Sequence, residues 1–153
     1  MLARDIMNSH VISVRRGSSV AAAARLMLEH GINSLPVVDQ AGRVVGMVGI
    51  RDVLRVPVPS GSDMPLLKWI APEEKAHRLL DTTVDQVMAR RVVTVDESAT
   101  LMEVAALMAN KGVHPIPVLH GDKLLGVVGR ADVVRTLLEM AGPTMDSTQS
   151  RSA

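Results

Sequence analysis

Cysteine is absent, which excludes a disulfide framework, a thiolate metal site and a thiol nucleophile. Phenylalanine and tyrosine are absent too, and tryptophan occurs once. The flat platforms on which single-stranded nucleic acids stack are therefore missing. No charge of one sign dominates: 17 Lys and Arg stand against 16 Asp and Glu, a formal net charge of +1. That is not the basic field a phosphate backbone demands, so nucleic acid is not an expected partner. No apolar run reaches the roughly 18 residues of a membrane span. The opening Met1-Leu2-Ala3-Arg4-Asp5 carries an acid early, with no long apolar stretch behind it. A signal peptide is not expected, and the cytoplasm is the expected compartment.

What remains is a chain of 153 residues, 47% apolar, whose core must be built from Val, Leu, Ile, Ala and Met. Its length suits one domain, or two small units sharing a core. The chain repeats itself, which favours the second arrangement. Asp5-Ile6-Met7 returns as Gln86-Val87-Met88, and Val11-Ile12-Ser13-Val14 as Val92-Val93-Thr94-Val95. Gly31-Ile32-Asn33-Ser34-Leu35-Pro36-Val37-Val38 returns as Gly112-Val113-His114-Pro115-Ile116-Pro117-Val118-Leu119. Gly46-Met47-Val48-Gly49 and Asp52-Val53-Leu54 return as Gly126-Val127-Val128-Gly129 and Asp132-Val133-Val134. The offset is 81 up to the hairpin and 80 after it, so one hairpin turn is a residue shorter.

Each copy reads as strand, helix, strand, strand, helix. Val11 to Val14 is a short apolar run that suits a strand. Ser19 and Thr100 stand at helix starts, and Thr100 with Glu103 makes a capping box. Val20, Ala24, Met27 and Leu28, and Leu101, Val104, Ala105 and Met108, recur at helical spacing. The methionines among them, and elsewhere in the chain, read as core filler. Gly31 and Gly112 are helix stops. Hairpins turn around Gln40-Ala41-Gly42 and Gly121-Asp122, and second helices begin near Arg51 and Ala131. This divides the chain into a first repeat at 1–56, a linker with a short helical excursion after Pro72 at 57–80, a second repeat at 81–141, and a small polar tail at 142–153 expected to be disordered. Trp69 is expected to pack the excursion onto a repeat.

Taken together and in order, these segments resemble the CBS domain, and the chain resembles a stand-alone tandem pair. The resemblance implies an α+β (α/β-like) fold of two β-α-β-β-α repeats packed sheet to sheet with pseudo-two-fold symmetry, and a homodimer. It also implies two clefts between the repeats that bind an adenosyl ligand: AMP, ADP or ATP, less often S-adenosylmethionine or NAD. Carried over, one cleft would use Met7, Ile12, Asn33, Ser34 and Pro36 with Gly129, Arg130 and Asp132. The other would use Met88, Val93, His114, Pro115 and Pro117 with Gly49, Arg51 and Asp52. Ile12, Val93 and the prolines would form the slot for the base. Each Asp would accept from a ribose diol, while the arginines and helix starts would favour phosphate. The family often places Ser or Thr three residues before the Asp, where this chain has Gly49 and Gly129.

The residues also permit plainer readings. Asp52 and Asp132 suit helix starts on dipole grounds alone. Gly49 and Gly129 suit turns that need positive φ. His114 suits either a phosphate contact or an ordinary strand position. His10, His30, His77 and His120 have no ligand-like spacing with carboxylates, so no metal is expected. Arg15-Arg16 and Arg90-Arg91 read as solvated turns. No nucleophile stands beside a base, and no Walker A or G-x-S-x-G run occurs, so the chain is expected to be non-catalytic. Without an effector domain in the sequence, an effector protein would have to act in trans. The alternative is a structural dimerisation module with degenerate clefts.

Overall fold

The computed structural model describes residues 1–56, 71–112 and 115–143. Its elements run α1 (Ala3–Ile6), β1 (Val14–Arg15), α2 (Val20–His30), β2 (Ser34–Val38), β3 (Val44–Gly49), α3 (Ile50–Leu54), α4 (Pro72–Asp81), a 3₁₀ turn (Val84–Gln86), β4 (Val95–Asp96), α5 (Leu101–Lys111), β5 (Ile116–His120), β6 (Lys123–Val128) and α6 (Arg130–Ala141). They build two three-stranded sheets, ordered β1-β2-β3 and β4-β5-β6. In each sheet the first pairing is parallel and the second antiparallel, so each repeat is a β-α-β unit closed by a hairpin. This is the α+β architecture of two like units implied by the repeat.

Local chemistry sets the element ends. The Ser19 hydroxyl accepts from the Ala22 N–H, and Thr100 accepts from the Glu103 N–H while the Glu103 carboxylate accepts from the Thr100 N–H. Gly31 and Gly112 end α2 and α5 at φ 63° and 62°, a conformation that costs glycine nothing. The hairpin slip has a local cause: five residues separate the partners Val38 and Val44, and four separate Leu119 and Leu124. The first strands are shorter than the apolar runs suggest. Val11 to Ser13 and Val92 to Thr94 precede the residues that face β2 and β5, so only Val14–Arg15 and Val95–Asp96 pair. The excursion after Pro72 is a ten-residue helix with proline in its first turn. Trp69, His114 and the 144–153 tail lie outside the described residues.

The sequence boundaries at 56 and 81 do not separate the two cores. The first core joins Val14, Ala23, Met27, Leu35, Val37 and Val48 to Val84 and Met88, which open the second repeat. The second core joins Val95, Leu101, Val104, Ile116, Val118, Val128 and Val133 to Ala3, with Ile6 and Met7 packed on it. Each repeat thus lends its leading segment to the other. Backbone bonds fix the exchange. Val20 N–H donates to the Thr82 carbonyl at 2.8 Å, and Leu101 N–H donates to the Met1 carbonyl at 3.0 Å, a pair of bonds 81 residues apart.

Two expectations about side chains are corrected. Leu28 is 76% exposed, because the helix turns it away from the sheet, and it belongs to no core. Among the methionines, Met27 and Met88 are buried, but Met1, Met102 and Met140 are exposed, so apolar character alone did not place them.

Candidate functional site

The exchange brings the leading methionines onto the strands that run into the two aspartates. Met7 lies on β6 at Gly126, where a Cβ would meet the Met7 side chain and the Asn8 carbonyl. Met88 lies on β3 at Gly46, where a Cβ would meet the Met88 side chain and the Ala89 carbonyl. Glycine is required at these two positions by close approach rather than by φ. The next residue of each strand is then paired. Asn8 and Val127 exchange backbone bonds at 2.9 and 3.1 Å, and Met47 and Ala89 at 2.9 and 2.8 Å. Gly46, Met88, Gly126 and Met7 marked the repeat in the sequence. Only the structure shows that they lock the halves together.

Three residues beyond each close-packed glycine, the strand ends and a helix starts. Gly49 and Gly129 are N-caps with φ −126° and −96°. The expectation of positive φ is thereby corrected, since this is extended backbone open to any residue. Asp52 and Asp132 stand at the third helical position, and each carboxylate accepts from the N-cap N–H at 2.8 Å. The helix-start reading of both aspartates is therefore realised. Asp132 also accepts from Arg135 at 3.2 Å. An ionised carboxylate has about four acceptor positions, so the cap leaves each aspartate with capacity for a ligand hydroxyl. Both aspartates are half-buried at the ends of their strands, and Arg51 and Arg130 beside them are exposed.

The other candidate positions fall into two groups. Asn33 is exposed and Ser34 half-buried. Ser34 is in register with Gly49, and the Asn33 carbonyl accepts from Ile50 N–H at 2.9 Å. This places Asn33 and Ser34 beside the aspartate of their own repeat. Ile12, Val93 and Pro115 are half-buried. Pro36 and Pro117 are buried mid-strand, opposite Met47 and Val127. The backbones of the two hairpin turns meet as an antiparallel β-bridge between Arg43 and Lys123, with the Leu124 N–H donating to the Gly42 carbonyl at 3.1 Å.

Charge is organised away from this region. Asp85 accepts from the Gly17 N–H at 2.6 Å and pairs with Arg16 at 3.0 Å; the backbone bond first, and the guanidinium after it, hold its carboxyl below the usual range. Asp96 is held low mainly by the Ser98 hydroxyl and N–H. Lys75 on α4 donates to the Val56 carbonyl, and its burial lowers its pKa.

The CBS-domain family pattern matches residues 3–58 and 84–139. The chain belongs to the CBS-domain family. It is a tandem CBS pair, and it is 31% identical over 139 residues to Hypoxic response protein 1 of Mycobacterium tuberculosis, covering 91% of this chain and 87% of that one. It spans only 31% of another relative, protein MJ1404 of Methanocaldococcus jannaschii. Among solved structures it resembles the CBS-pair protein CBSX2 of Arabidopsis thaliana, with a TM-score of 0.76 at 25% identity, covering 94% and 98% of the two chains. CBSX2 has also been solved in complex with AMP. The CBS pair of protein MJ0100, solved with 5′-methylthioadenosine and S-adenosylmethionine, matches with a TM-score of 0.67 at 25% identity over 92% of this chain and 98% of that one. Hypoxic Response Protein I has been solved with two coordinated zinc ions. Among the described residues of this CBS pair, no three His, Cys, Asp or Glu side chains are grouped to hold a metal.

Proposed function

We propose that this CBS pair is a non-catalytic regulatory module that binds an adenosyl ligand between its repeats and signals to an effector protein in trans. AMP, ADP or ATP is the first ligand class, ahead of S-adenosylmethionine and NAD. The observation that carries the reading is the equivalent placement of Asp52 and Asp132, each half-buried at a strand end with an exposed arginine within two residues. The adenosyl ligands held by MJ0100 and CBSX2 support the class. The site division proposed is Met7, Ile12, Asn33, Ser34 and Pro36 with Gly129, Arg130 and Asp132, and Met88, Val93, His114, Pro115 and Pro117 with Gly49, Arg51 and Asp52. The ligand would favour one arrangement of the repeats, and only to the extent that it binds that arrangement more tightly. The module would work in the cytoplasm as a homodimer. Val134, Leu137 and Leu138 form an exposed apolar stripe along α6 that supports self-association.

A second reading, a dimerisation module with degenerate clefts, is favoured by the cap bonds that already engage both aspartates and by the missing hydroxyl at Gly49 and Gly129. Thermal unfolding against AMP, ADP, ATP, NAD and S-adenosylmethionine separates the two. A ligand at 100 times its Kd stabilises by about 2.7 kcal/mol, a readily visible shift. A saturable shift with any of them supports the sensor. No shift with all of them supports the dimerisation module.

A further inference from the structure

The hairpin end of the first repeat carries a pocket of about 500 Å³, lined by Arg15, Arg16, Asp39, Gln40, Ala41 and Arg43. It lies at the opposite end of β3 from Gly49 and Asp52, so it is separate from the candidate clefts. Three arginines stand there against one carboxylate, and that carboxylate is already engaged. Asp39 accepts from the Ala41 and Arg43 N–H groups at 2.9 and 3.0 Å and from the Arg43 Nε at 2.9 Å. The Arg43 N–H first, and its guanidinium after it, hold the Asp39 carboxyl below the usual range. Arg16 shares its guanidinium with Asp85, and Arg15 has no carboxylate partner among the described residues. A guanidinium has five N–H donors, so each arginine keeps donors for an anion. The second repeat has no counterpart. Asp96 and Glu97 stand where Arg15 and Arg16 do, 81 residues on, and Glu97 pairs with His120, which takes the position of Asp39. The hairpin that is one residue longer in the first repeat supplies four of the six lining residues.

We infer that this pocket binds an anion of linked phosphate groups, of the pyrophosphate or triphosphate class. A guanidinium is a planar fork that meets phosphate oxygens two at a time. Three of them around a cavity of this size suit a ligand with several charged groups better than a single phosphate. The two carboxylates nearby do not block it. In both ion pairs the arginine is the more exposed partner, 49% against 21% for Arg16 and Asp85 and 56% against 15% for Arg43 and Asp39, so an approaching anion meets the cation first. The site does not rest on the adenosyl reading, and failure of that reading would leave it untouched.

Calorimetric titration with inorganic triphosphate, which has no base or ribose for the candidate clefts, tests the site. The parent chain is expected to bind it saturably, and to bind orthophosphate at least about tenfold more weakly, because fewer charge-assisted bonds form. Arg15→Gln with Arg43→Gln is expected to weaken triphosphate binding at least about tenfold. Arg55→Gln with Lys111→Gln removes the same charge at two exposed positions outside the pocket. In about 0.15 M salt, where distant charges are screened, that control is expected to change the affinity less than about twofold. Matching thermal unfolding checks the fold of each variant. Arg15→Gln alone, which breaks no ion pair, is expected to weaken binding at least about threefold and serves if the double variant is unstable. The site would be overturned by no saturable binding to the parent or by orthophosphate binding as tightly as triphosphate. It would equally be overturned by unchanged affinity in the pocket variants, or by an equal loss in the control.

Discussion

The two repeats share a fold but not a surface, and the difference shows what the fold requires. In the first repeat α4 packs against α2, and Ala21 is only 8% exposed. In the second repeat the corresponding residue is Met102, which is 64% exposed. A helix ahead of Thr82 covers the first repeat at this face. The same asymmetry reaches the interior: Met27 is fully buried and its equivalent, Met108, is only partly so. What is held in common is the set of contacts that fastens one repeat to the other. Met7 lies on Gly126 and Met88 on Gly46, and an aspartate three residues after each N-cap glycine caps a helix. The shared elements are those that join the halves, while the elements that differ are the coverings of α2 and α5.

This comparison can be broken most sharply in the core. Met27→Ala should cost about 3–5 kcal/mol, because a fully buried methionine leaves a cavity. Met108→Ala should cost clearly less, about 1–2 kcal/mol. Urea unfolding of the two variants reads the difference, and equal losses would mean the repeats are equally packed. The fastening contacts should instead respond alike. Gly46→Ala and Gly126→Ala each force a methyl group against a backbone carbonyl at about the same distance, and should each cost about 1–3 kcal/mol.

A smaller effect probes the helix starts. At Gly129 a Cβ would meet only the Asp132 carboxylate at 3.3 Å, whereas at Gly49 it would also meet the Asn33 carbonyl at 3.3 Å. Gly129→Ser should therefore be tolerated within about 0.5 kcal/mol. Gly49→Ser should be destabilising by about 1 kcal/mol. If the proposed clefts hold phosphate, the added hydroxyl at Gly129 should tighten binding about tenfold, as for a bond to a charged group. The smallest effect is on pH dependence. The Asp85 pKa is lowered in the folded chain, so its contribution is present above the unfolded value of about 4. It is lost as pH falls through the folded value. Asp85→Asn should lower stability near neutral pH, where the contribution is fully present, and flatten the acid part of the unfolding curve, where the parent loses it.

Much of the fold was legible in the sequence because its signals are local and occur twice. Ser19 and Thr100 cap helices, Gly31 and Gly112 stop them, and an offset that changes from 81 to 80 marks the hairpin whose turn is a residue shorter. The exchange of leading segments was not legible. Nothing local distinguishes a Met7 that packs on its own repeat from one that packs on Gly126, because the partner is more than a hundred residues away. The exposure of Leu28 and Met102 was hidden for a related reason: periodicity identifies an apolar face but not whether another element covers it. At the candidate site, the aspartates and arginines could be read from the repeat, but the cap bonds depend on a backbone angle at Gly49 and Gly129 that composition does not reveal.

The most direct test of the proposed function is calorimetric titration of AMP and S-adenosylmethionine into the parent chain and into a variant carrying both Asp52→Asn and Asp132→Asn. Asparagine can still accept the N-cap bond, so the fold is retained while the carboxylates are removed. The account predicts saturable binding of at least one ligand to the parent and a loss of affinity of about tenfold or more in the variant. Equal affinity in the two proteins would contradict it.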